Sequence, residues 1–210
     1  MTVSPTGLEY VCLARHGQTE WNQQGRRQGH LDSPLTPSGV LHAERNADLI
    51  ASLPVDAVFS SPLGRARATA GIIAARLGLP VEVVEELREV HHGRIAGLTD
   101  AEIARDFPQV AADRARDKYR YRFPEGESYA DADRRAGEAL RRIEATGARR
   151  PLVVSHEMVG RMLLRNLVGL DVGTALACGH PHDVVYRVRI GEARYERLPA
   201  EDSTTTGETP

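Results

Sequence analysis

The sequence predicts an α/β domain in which helices cover a largely parallel sheet. One observation is that short apolar runs alternate with longer helix-like segments along the first half of the chain. Another is that polar residues follow three of these runs directly, where doubly wound sheets place groups that bind ligands. At 210 residues, the chain is long enough for one such domain with a substantial core.

The first half of the chain predicts a β-α-β-α-β series. Thr36 and Pro37 provide an N-cap and a first-turn proline for the first helix, and Gly78 provides a C-terminal stop for the second. The predicted strands cover 8–14, 57–60 and 81–84, and the predicted helices cover 38–53 and 63–77.

The second half predicts a cap and then the completion of the sheet. Segment 99–122 is typical of short charged helices interrupted by Pro108, which favours a cap over the sheet. A helix over 128–146, ended by Gly147, precedes a strand at 152–155, a helix at 158–167 and a hairpin of strands 184–188 and 194–198 around Gly191.

The expected domain organisation is simple. A flexible N-terminus covers 1–7, one domain covers 8–198 with a cap insertion near 99–127, and a disordered tail rich in Ser, Thr and acidic residues covers 199–210. The start of the chain lacks a signal-peptide pattern, which predicts a cytoplasmic protein. Cys12 and Cys178 are therefore expected to be reduced thiols.

The composition indicates which classes of partner the protein does not bind. No apolar run approaches the roughly 20 residues that span a bilayer, and a net charge of −2 gives no electrostatic reason to bind nucleic acid or an anionic membrane. Arg114, Tyr119, Tyr121 and Arg122 lie in a basic and aromatic stretch, but intervening aspartates favour a cap that supplies one or two cations to a substrate.

Polar groups at three predicted strand ends indicate the chemistry. Arg15 and His16 follow the first strand, Arg65 lies in the segment after the second, and His156 follows the strand at 152–155. Because the carboxyl ends of parallel strands share one edge, we expect these four side chains on one rim. Crowded cations repel unless an anion lies among them, so the cluster predicts a dianionic ligand, and phosphate fits best.

A neutral imidazole in such a cluster can attack phosphorus and form a phosphohistidine. Nearby positive charge is expected to lower the pKa of His16 and so favour its neutral form. The leaving alcohol then needs a proton, and Glu89 is the candidate donor. Glu85 and Glu86 compete with Glu89, and Arg67 competes with Arg65; Glu85 and Glu86 fit a solvated bend, and Arg67 fits a solvent-facing helix position.

Several separated motifs, spread from about residue 10 to residue 198, occur in the order that is typical of one protein family. The chain resembles the histidine phosphatase superfamily, in its phosphoglycerate mutase-like branch. The motifs in the family's order are Arg15-His16-Gly17 with Thr19 and Asn22; Gly25 to Gly29 and Asp32 to Thr36; Ser60 to Ala66 with Thr69 and Ala70; Glu89 with Gly93 and Gly97 to Thr99; Gly126 to Ser128; and Ser155-His156.

The resemblance implies a three-layer sandwich around a mostly parallel sheet of about six strands. It implies that His16 is phosphorylated, that Arg15, Arg65 and His156 surround the phosphoryl oxygens, and that Glu89 is proton donor and then base. Asn22 matches a phosphate-pocket position, and Gln28 lies where substrate contacts are common. Neither a metal nor a cofactor is expected; His91-His92 and His180-Pro181-His182 lack zinc-motif spacing.

The sequence departs from the family pattern near the site. Glu157 stands where many members have glycine, and its carboxylate is expected to repel highly anionic substrates. His92 occupies a place often taken by an aromatic or apolar residue, and Ile95-Ala96 replaces a tryptophan-glutamate pair. Glu157 and His92 are thus candidate substrate contacts. For His182, a plain loop residue is the favoured interpretation, and contact with the pocket from a late loop is the alternative.

These observations predict hydrolysis of a small phosphorylated metabolite. The rival is phosphoglycerate mutase-type transfer, but the segment 100–126 is short and lacks the proline run of true mutases. A catalytically silent phospho-ligand binding protein is disfavoured because nucleophile, second histidine and proton donor are all present. A homodimer stays open as the oligomeric state.

Overall fold

A computed structural model of the chain describes residues 7–192 and 194–200. Its six-stranded sheet has the order β3-β2-β4-β1-β5-β6, in which β1–β4, β2–β4 and β2–β3 pair in parallel, whereas β5 and β6 run antiparallel to their neighbours. The strands are β1 Tyr10–Arg15, β2 Ala57–Ser60, β3 Val81–Val83, β4 Pro151–Ser155, β5 Val184–Arg189 and β6 Tyr195–Pro199. The predicted α/β fold is therefore confirmed.

The helices begin and end where local chemistry favours it. Thr36 accepts the amide N–H of Gly39 and Pro37 stands at the first helical position, while Gly78 ends another helix with a φ of 67°. The helices are α1 Glu20–Gln23, α2 Pro37–Ala51, α3 Gly64–Leu77, α4 Asp100–Asp106, α5 Gln109–Arg116, α6 Tyr129–Ala145, α7 Glu157–Val168 and α8 Val172–Ala177. Short 3₁₀ turns cover Glu85–Leu87 and Gly93–Ile95.

The core lies on both faces of the sheet. Along β1, Val11 and Leu13 belong to one buried cluster, and Cys12 and Ala14 belong to another, because successive strand side chains point to opposite faces. Helices α6 and α7 cover the first face and α2 and α3 cover the second, which completes three layers. A smaller apolar cluster, including Ile95, Ile103, Val110 and Phe123, lies beneath α4 and α5.

The ends of the described chain refine the predicted boundaries. Pro199 closes β6, and Ala200 donates its N–H to the carbonyl of Asp183, so pairing extends past the predicted start of the tail at 199. The remaining tail, 201–210, and residues 1–6 of the predicted flexible N-terminus lie outside the described residues. Cys12 and Cys178 are free thiols. In the described ranges, no helix is long and apolar enough to cross a membrane.

Candidate active site

The three polar strand ends meet at one edge of the sheet, because β2, β4 and β1 are adjacent and parallel. The amide of His16 bonds to the carbonyl of Ser155 at 3.0 Å, and that of Ser61 bonds to the carbonyl of Val154 at 3.0 Å. These bonds continue the ladders past the strand ends. They place the imidazole rings of His16 and His156 with their centroids 5.2 Å apart.

His16 is buried, with 3% of its surface exposed. Its Nδ1 lies 2.8 Å from the carbonyl oxygen of Gly17 and donates to it, which leaves Nε2 as the nitrogen with a lone pair. A Cβ at Gly17 would lie 2.1 Å from the Gly39 carbonyl, so this close approach requires glycine. Burial, followed by the charges of Arg65 and Arg15, holds the pKa of His16 well below its usual range.

Arg65 is held rigidly by backbone and carboxylate oxygens. Its Nη1 donates to the Leu31 carbonyl at 2.8 Å and to Asp32 at 3.0 Å, and its Nη2 donates to the Gly29 carbonyl at 2.8 Å. The Nε atom is buried and has no partner among the described residues. Because a buried donor is costly to leave unpaired, Nε is a ready donor for a bound anion. Arg67, its rival by sequence, is exposed.

Arg15 and Glu157 form one charged unit at the rim. Arg15 Nη1 donates to the His180 carbonyl at 3.2 Å and lies 3.1 Å from the Glu157 carboxylate. Glu157 also pairs with Arg161, one helical turn along α7. Two guanidinium groups thus offset the charge of Glu157, and its repulsion of highly anionic substrates stays a prediction.

His156 is completely buried. Its Nε2 lies 2.8 Å from the hydroxyl oxygen of Ser61, and its Nδ1 has no partner in the part of the chain that the structure describes. Burial is the largest cause that holds the pKa of His156 well below its usual range, with the charge of Arg65 next. A neutral ring bonded at Nε2 leaves Nδ1 for a ligand.

Glu89 lies against the N-terminus of α7. Its carboxylate accepts the amide N–H groups of Val90 at 2.9 Å and of Met158 and Val159 at 3.3 Å each. The competing glutamates lie elsewhere, because Glu85 pairs with Arg88 and Glu86 with Arg142. Of these carboxylates, the structure brings only that of Glu89 to the N-terminus of the helix that follows His156.

Asn22 and Gln28 are tied to the N-terminus of α1 through Thr19. Asn22 Oδ1 lies 3.0 Å from both the amide and the hydroxyl of Thr19, and Gln28 Nε2 donates to that hydroxyl at 2.8 Å. The Oε1 atom of Gln28 is buried without a partner in the described ranges. Both side chains thus have a structural role, and their contact with a ligand stays a prediction.

A polar cavity of about 260 Å³ lies beside Glu89. His92 packs edge-on against Phe123 with ring centroids 4.9 Å apart, and burial lowers its pKa to about 3. Its Nδ1 is buried and lacks a partner in the described chain, so it is available to a substrate. The lining comprises Arg27, Glu89, His92, Arg114, Lys118, Tyr129, Glu157, Met158 and Arg161.

His182 lies in the loop before β5, as predicted, and this loop reaches His16. Its Nδ1 lies 2.5 Å from the His16 carbonyl, and its ring centroid is 5.5 Å from that of His16. On its other side it stacks on His42, with centroids 5.7 Å apart. The pairing of β5 with β1 delivers the loop before β5 to the end of β1, and this pairing leaves no local signal in the sequence.

The site is built for an anion. Arg15, His16, Arg65 and His156 converge, while Glu89 approaches from the helix side. Across residues 7–192 and 194–200, no group of three or more His, Cys, Asp or Glu side chains is arranged to hold a metal ion. A phosphoryl group is the ligand that this arrangement of guanidinium and imidazole groups suits.

The model of the histidine phosphatase superfamily (branch 1) matches residues 11–199. Among curated proteins, the chain is 36% identical over 161 residues to one named probable phosphoglycerate mutase GpmB from Yersinia pestis (strain Pestoides F). That match covers 76% of this chain and 75% of the relative.

Solved structures share the fold. Mycobacterial glucosyl-3-phosphoglycerate phosphatase, solved with VO3, is 27% identical with a TM-score of 0.76, and the match covers 91% of this chain and 98% of that one. A putative alpha-ribazole-5'-P phosphatase from Escherichia coli K-12 is 23% identical with a TM-score of 0.80, and the match covers 92% and 96% respectively. This second likeness bears on the fold alone.

Proposed function

The chain belongs to the histidine phosphatase superfamily (branch 1), and from this membership we propose that it hydrolyses small phosphomonoesters through a phosphohistidine on His16. Because the chain belongs to this superfamily and is similar to phosphatases and a probable mutase, it is an enzyme that acts on phosphate esters. The observation that carries the proposal is the state of His16, which is neutral, has Nδ1 bonded to the Gly17 carbonyl, and lies between Arg15, Arg65 and His156.

In the first step, the lone pair of His16 Nε2 attacks phosphorus and the ester P–O bond breaks. Arg15 and Arg65 offset the charge on the phosphoryl oxygens, and the neutral ring of His156 donates a hydrogen bond to them from Nδ1. The carboxyl proton of Glu89 goes to the departing alkoxide oxygen, so that a neutral alcohol leaves. The products of this step are the alcohol, a phosphohistidine and a Glu89 carboxylate.

In the second step, a water molecule attacks the phosphohistidine and the P–N bond breaks. Glu89 takes a proton from that water, which returns both Glu89 and His16 to their starting forms. The polar cavity beside Glu89 is wide enough for water, since one molecule needs only about 30 Å³. Glu89 supplies the proton for the alcohol and regains one from the water, so the proposed cycle balances without a metal.

Hydrolysis is favoured over transfer to a second hydroxyl by the cover above the site. The cap consists of two short helices, α4 of seven residues and α5 of eight. A mutase must shield its phosphohistidine from water until the intermediate rebinds, and a short cap beside a polar cavity wide enough for water suits the phosphatase. The mutase activity remains the second candidate because the 36% identical relative is named a probable phosphoglycerate mutase.

The experiment is phosphate release from a panel of sugar phosphates, phosphoglycerates, phosphoamino acids and nucleotides in excess chelator. Phosphoglycerate interconversion is followed in the same samples. We expect chelator-resistant release that disappears in His16→Ala but persists in His91→Ala, a matched variant of a histidine outside the site. An acid-labile, alkali-stable phosphoryl label on the wild type but not on His16→Ala identifies the intermediate.

The opposing outcomes are distinct. Interconversion without net release makes the protein a mutase, and release that chelator abolishes contradicts the metal-free cycle. Release that survives in a folded His16→Ala protein contradicts the nucleophile. We also propose that the physiological ligand is a small metabolite in the cytoplasm, consistent with the small polar cavity and the net charge of −2.

A further inference from the structure

A second cavity of about 290 Å³ lies within the cap, and the phosphoryl chemistry does not use it. Buried apolar side chains of Ile95, Ile103, Val110 and Phe123 form much of its wall. The remaining lining residues are Arg27, Asp100, Ala104, Phe107, Ala111 and Arg114. Water gains few hydrogen bonds against such walls, and a cavity of about half this volume suffices for a benzene ring.

Two arginines join the cap cavity to the polar cavity beside Glu89, because Arg27 and Arg114 line both. Arg27 is fixed by Asp100 at 2.7 Å. Arg114 donates to the Tyr129 hydroxyl at 2.9 Å and lies over its ring, 5.6 Å from the centroid, while its Nε is buried without a partner in the described chain. The two arginines therefore lie at the border between the cap cavity and the polar cavity.

Aromatic rings continue across the same boundary. Phe123 lines the cap cavity, and its ring lies 4.9 Å from that of His92 and 5.8 Å from that of Tyr129, both of which line the polar cavity. A ligand that extends from Glu89 toward the cap therefore passes from charged groups to planar rings and aliphatic side chains. The surface changes from polar to apolar in the direction away from the reacting phosphorus.

We propose that the preferred substrates are phosphomonoesters whose alcohol carries an apolar chain or ring, which occupies the cap cavity while the phosphoryl group lies on His16. This inference rests on the proposed phosphatase function. Burial of each methylene is expected to raise kcat/KM by up to about fourfold. The increase should stop when the cavity is full.

The test compares ethyl, butyl, hexyl and octyl phosphate, whose leaving oxygens have closely similar basicity. We expect kcat/KM to rise at least tenfold from ethyl to hexyl phosphate and then to level off. Alkylphosphonates of the same lengths, which have no ester bond to break, should inhibit competitively with the same dependence on length. A flat series for both esters and phosphonates overturns the inference.

Variants that fill the cavity locate the effect. Ala111→Phe and, separately, Ala104→Leu are expected to remove the gain with chain length while the hydrolysis of ethyl phosphate stays within about twofold. Ala115→Phe is the matched control, because this residue is exposed on the same helix α5 and does not line the cavity. If kcat/KM rises with chain length in Ala111→Phe and Ala104→Leu as it does in Ala115→Phe and the wild type, the cap cavity is not the binding site.

The phosphatase function and the preference for apolar alcohols are tested by separate results. Hydrolysis of ethyl phosphate in chelator, and its loss in His16→Ala, test the phosphatase function alone. The slope with chain length tests the substrate class alone. Hydrolysis without a slope overturns the inference and leaves the phosphatase, whereas the absence of release from every ester on both panels contradicts the phosphatase itself.

Discussion

At the scale of single residues, His16 is fixed from both of its sides. Its ring donates to the Gly17 carbonyl, and its own carbonyl lies 2.5 Å from His182 Nδ1. The Gly17 amide in turn donates to the Thr69 hydroxyl at 2.9 Å. The orientation of the nucleophile therefore depends on its neighbour Gly17 and on two residues from distant parts of the chain, Thr69 and His182.

His182 is expected to act as a positioning residue. Burial lowers its pKa to about 4, so its ring is neutral at pH 7 and holds the His16 carbonyl through Nδ1. Loss of this hydrogen bond in His182→Ala should lower kcat about tenfold with little change in KM. His182→Asn should restore most of the rate, since an amide nitrogen reaches the position of Nδ1.

Steady-state kinetics of both variants, compared with the wild type over pH 5 to 9, check this expectation. Equal rates for the wild type and His182→Ala would exclude the positioning role. A loss in His182→Asn as large as that in His182→Ala would indicate that the ring, rather than its hydrogen bond, is required.

At the scale of elements, the helices that follow β2 and β4 share an unusual feature. The residues at their N-caps, Leu63 for α3 and His156 for α7, provide no side-chain hydrogen bond to the first turn. Asp32 instead accepts the amides of Gly64 and Arg65, and Glu89 accepts those of Met158 and Val159. Acidic groups at a helix N-terminus stabilise it, and here they come from remote loops.

Glu89 therefore has two separable roles. Glu89→Ala should lower the free energy of unfolding by about 1 kcal/mol through loss of the cap, and should lower kcat by a factor of at least about 100 through loss of the proton donor. Glu89→Gln keeps a carbonyl oxygen and should recover part of the stability but none of the rate. Urea unfolding and phosphate release, measured on the same preparations, separate the two; equal stability of all three proteins would contradict the capping role.

Asp32 should matter to both stability and substrate binding. Asp32→Ala removes the cap of α3 and the ion pair with Arg65, so we expect a loss of about 1 kcal/mol in the free energy of unfolding and a higher KM. Asp48→Ala is the control, because its carboxylate is 58% exposed and its pairing with the exposed Arg76 contributes little. Matching melting temperatures for Asp32→Ala and Asp48→Ala would show that Asp32 does not cap α3.

At the scale of the whole molecule, the buried histidines limit the stability of the fold at low pH. Burial lowers the pKa of seven of the eight: His16, His30, His42, His92, His156, His180 and His182. Below about pH 6.5 the unfolded chain takes up protons that the native protein does not. Stability is therefore full above this pH and falls as the pH decreases, down to the native values of about 3 for His92 and His180.

The expected outcome is a loss of a few kcal/mol in the free energy of unfolding between pH 7.5 and 5.5. A fully buried histidine contributes up to about 1.4 kcal/mol per pH unit in this range. Urea titrations in phosphate-free buffers check it, because bound phosphate would stabilise the native state. A constant free energy of unfolding across the range would contradict the buried, neutral state of these rings.

Much of this architecture follows from local sequence. The alternation of apolar runs and capped helices predicts the layers, and the polar residues after parallel strands predict that Arg15, His16 and His156 meet. The bonds from Asp32 to Arg65, from Glu89 to α7 and from His182 to His16 were not predictable. Each bond joins segments whose proximity depends on the order of the strands and the path of the loops. Strand order and loop path leave no periodic signal in the sequence.

The central position of β1 has a consequence for biosynthesis. This strand pairs with β4 on one side and β5 on the other, so the pocket that it begins is closed only by residues 180–189. During translation, His16 is made long before its partner His182, which follows it by 166 residues. Folding through such non-local pairs is expected to be slow.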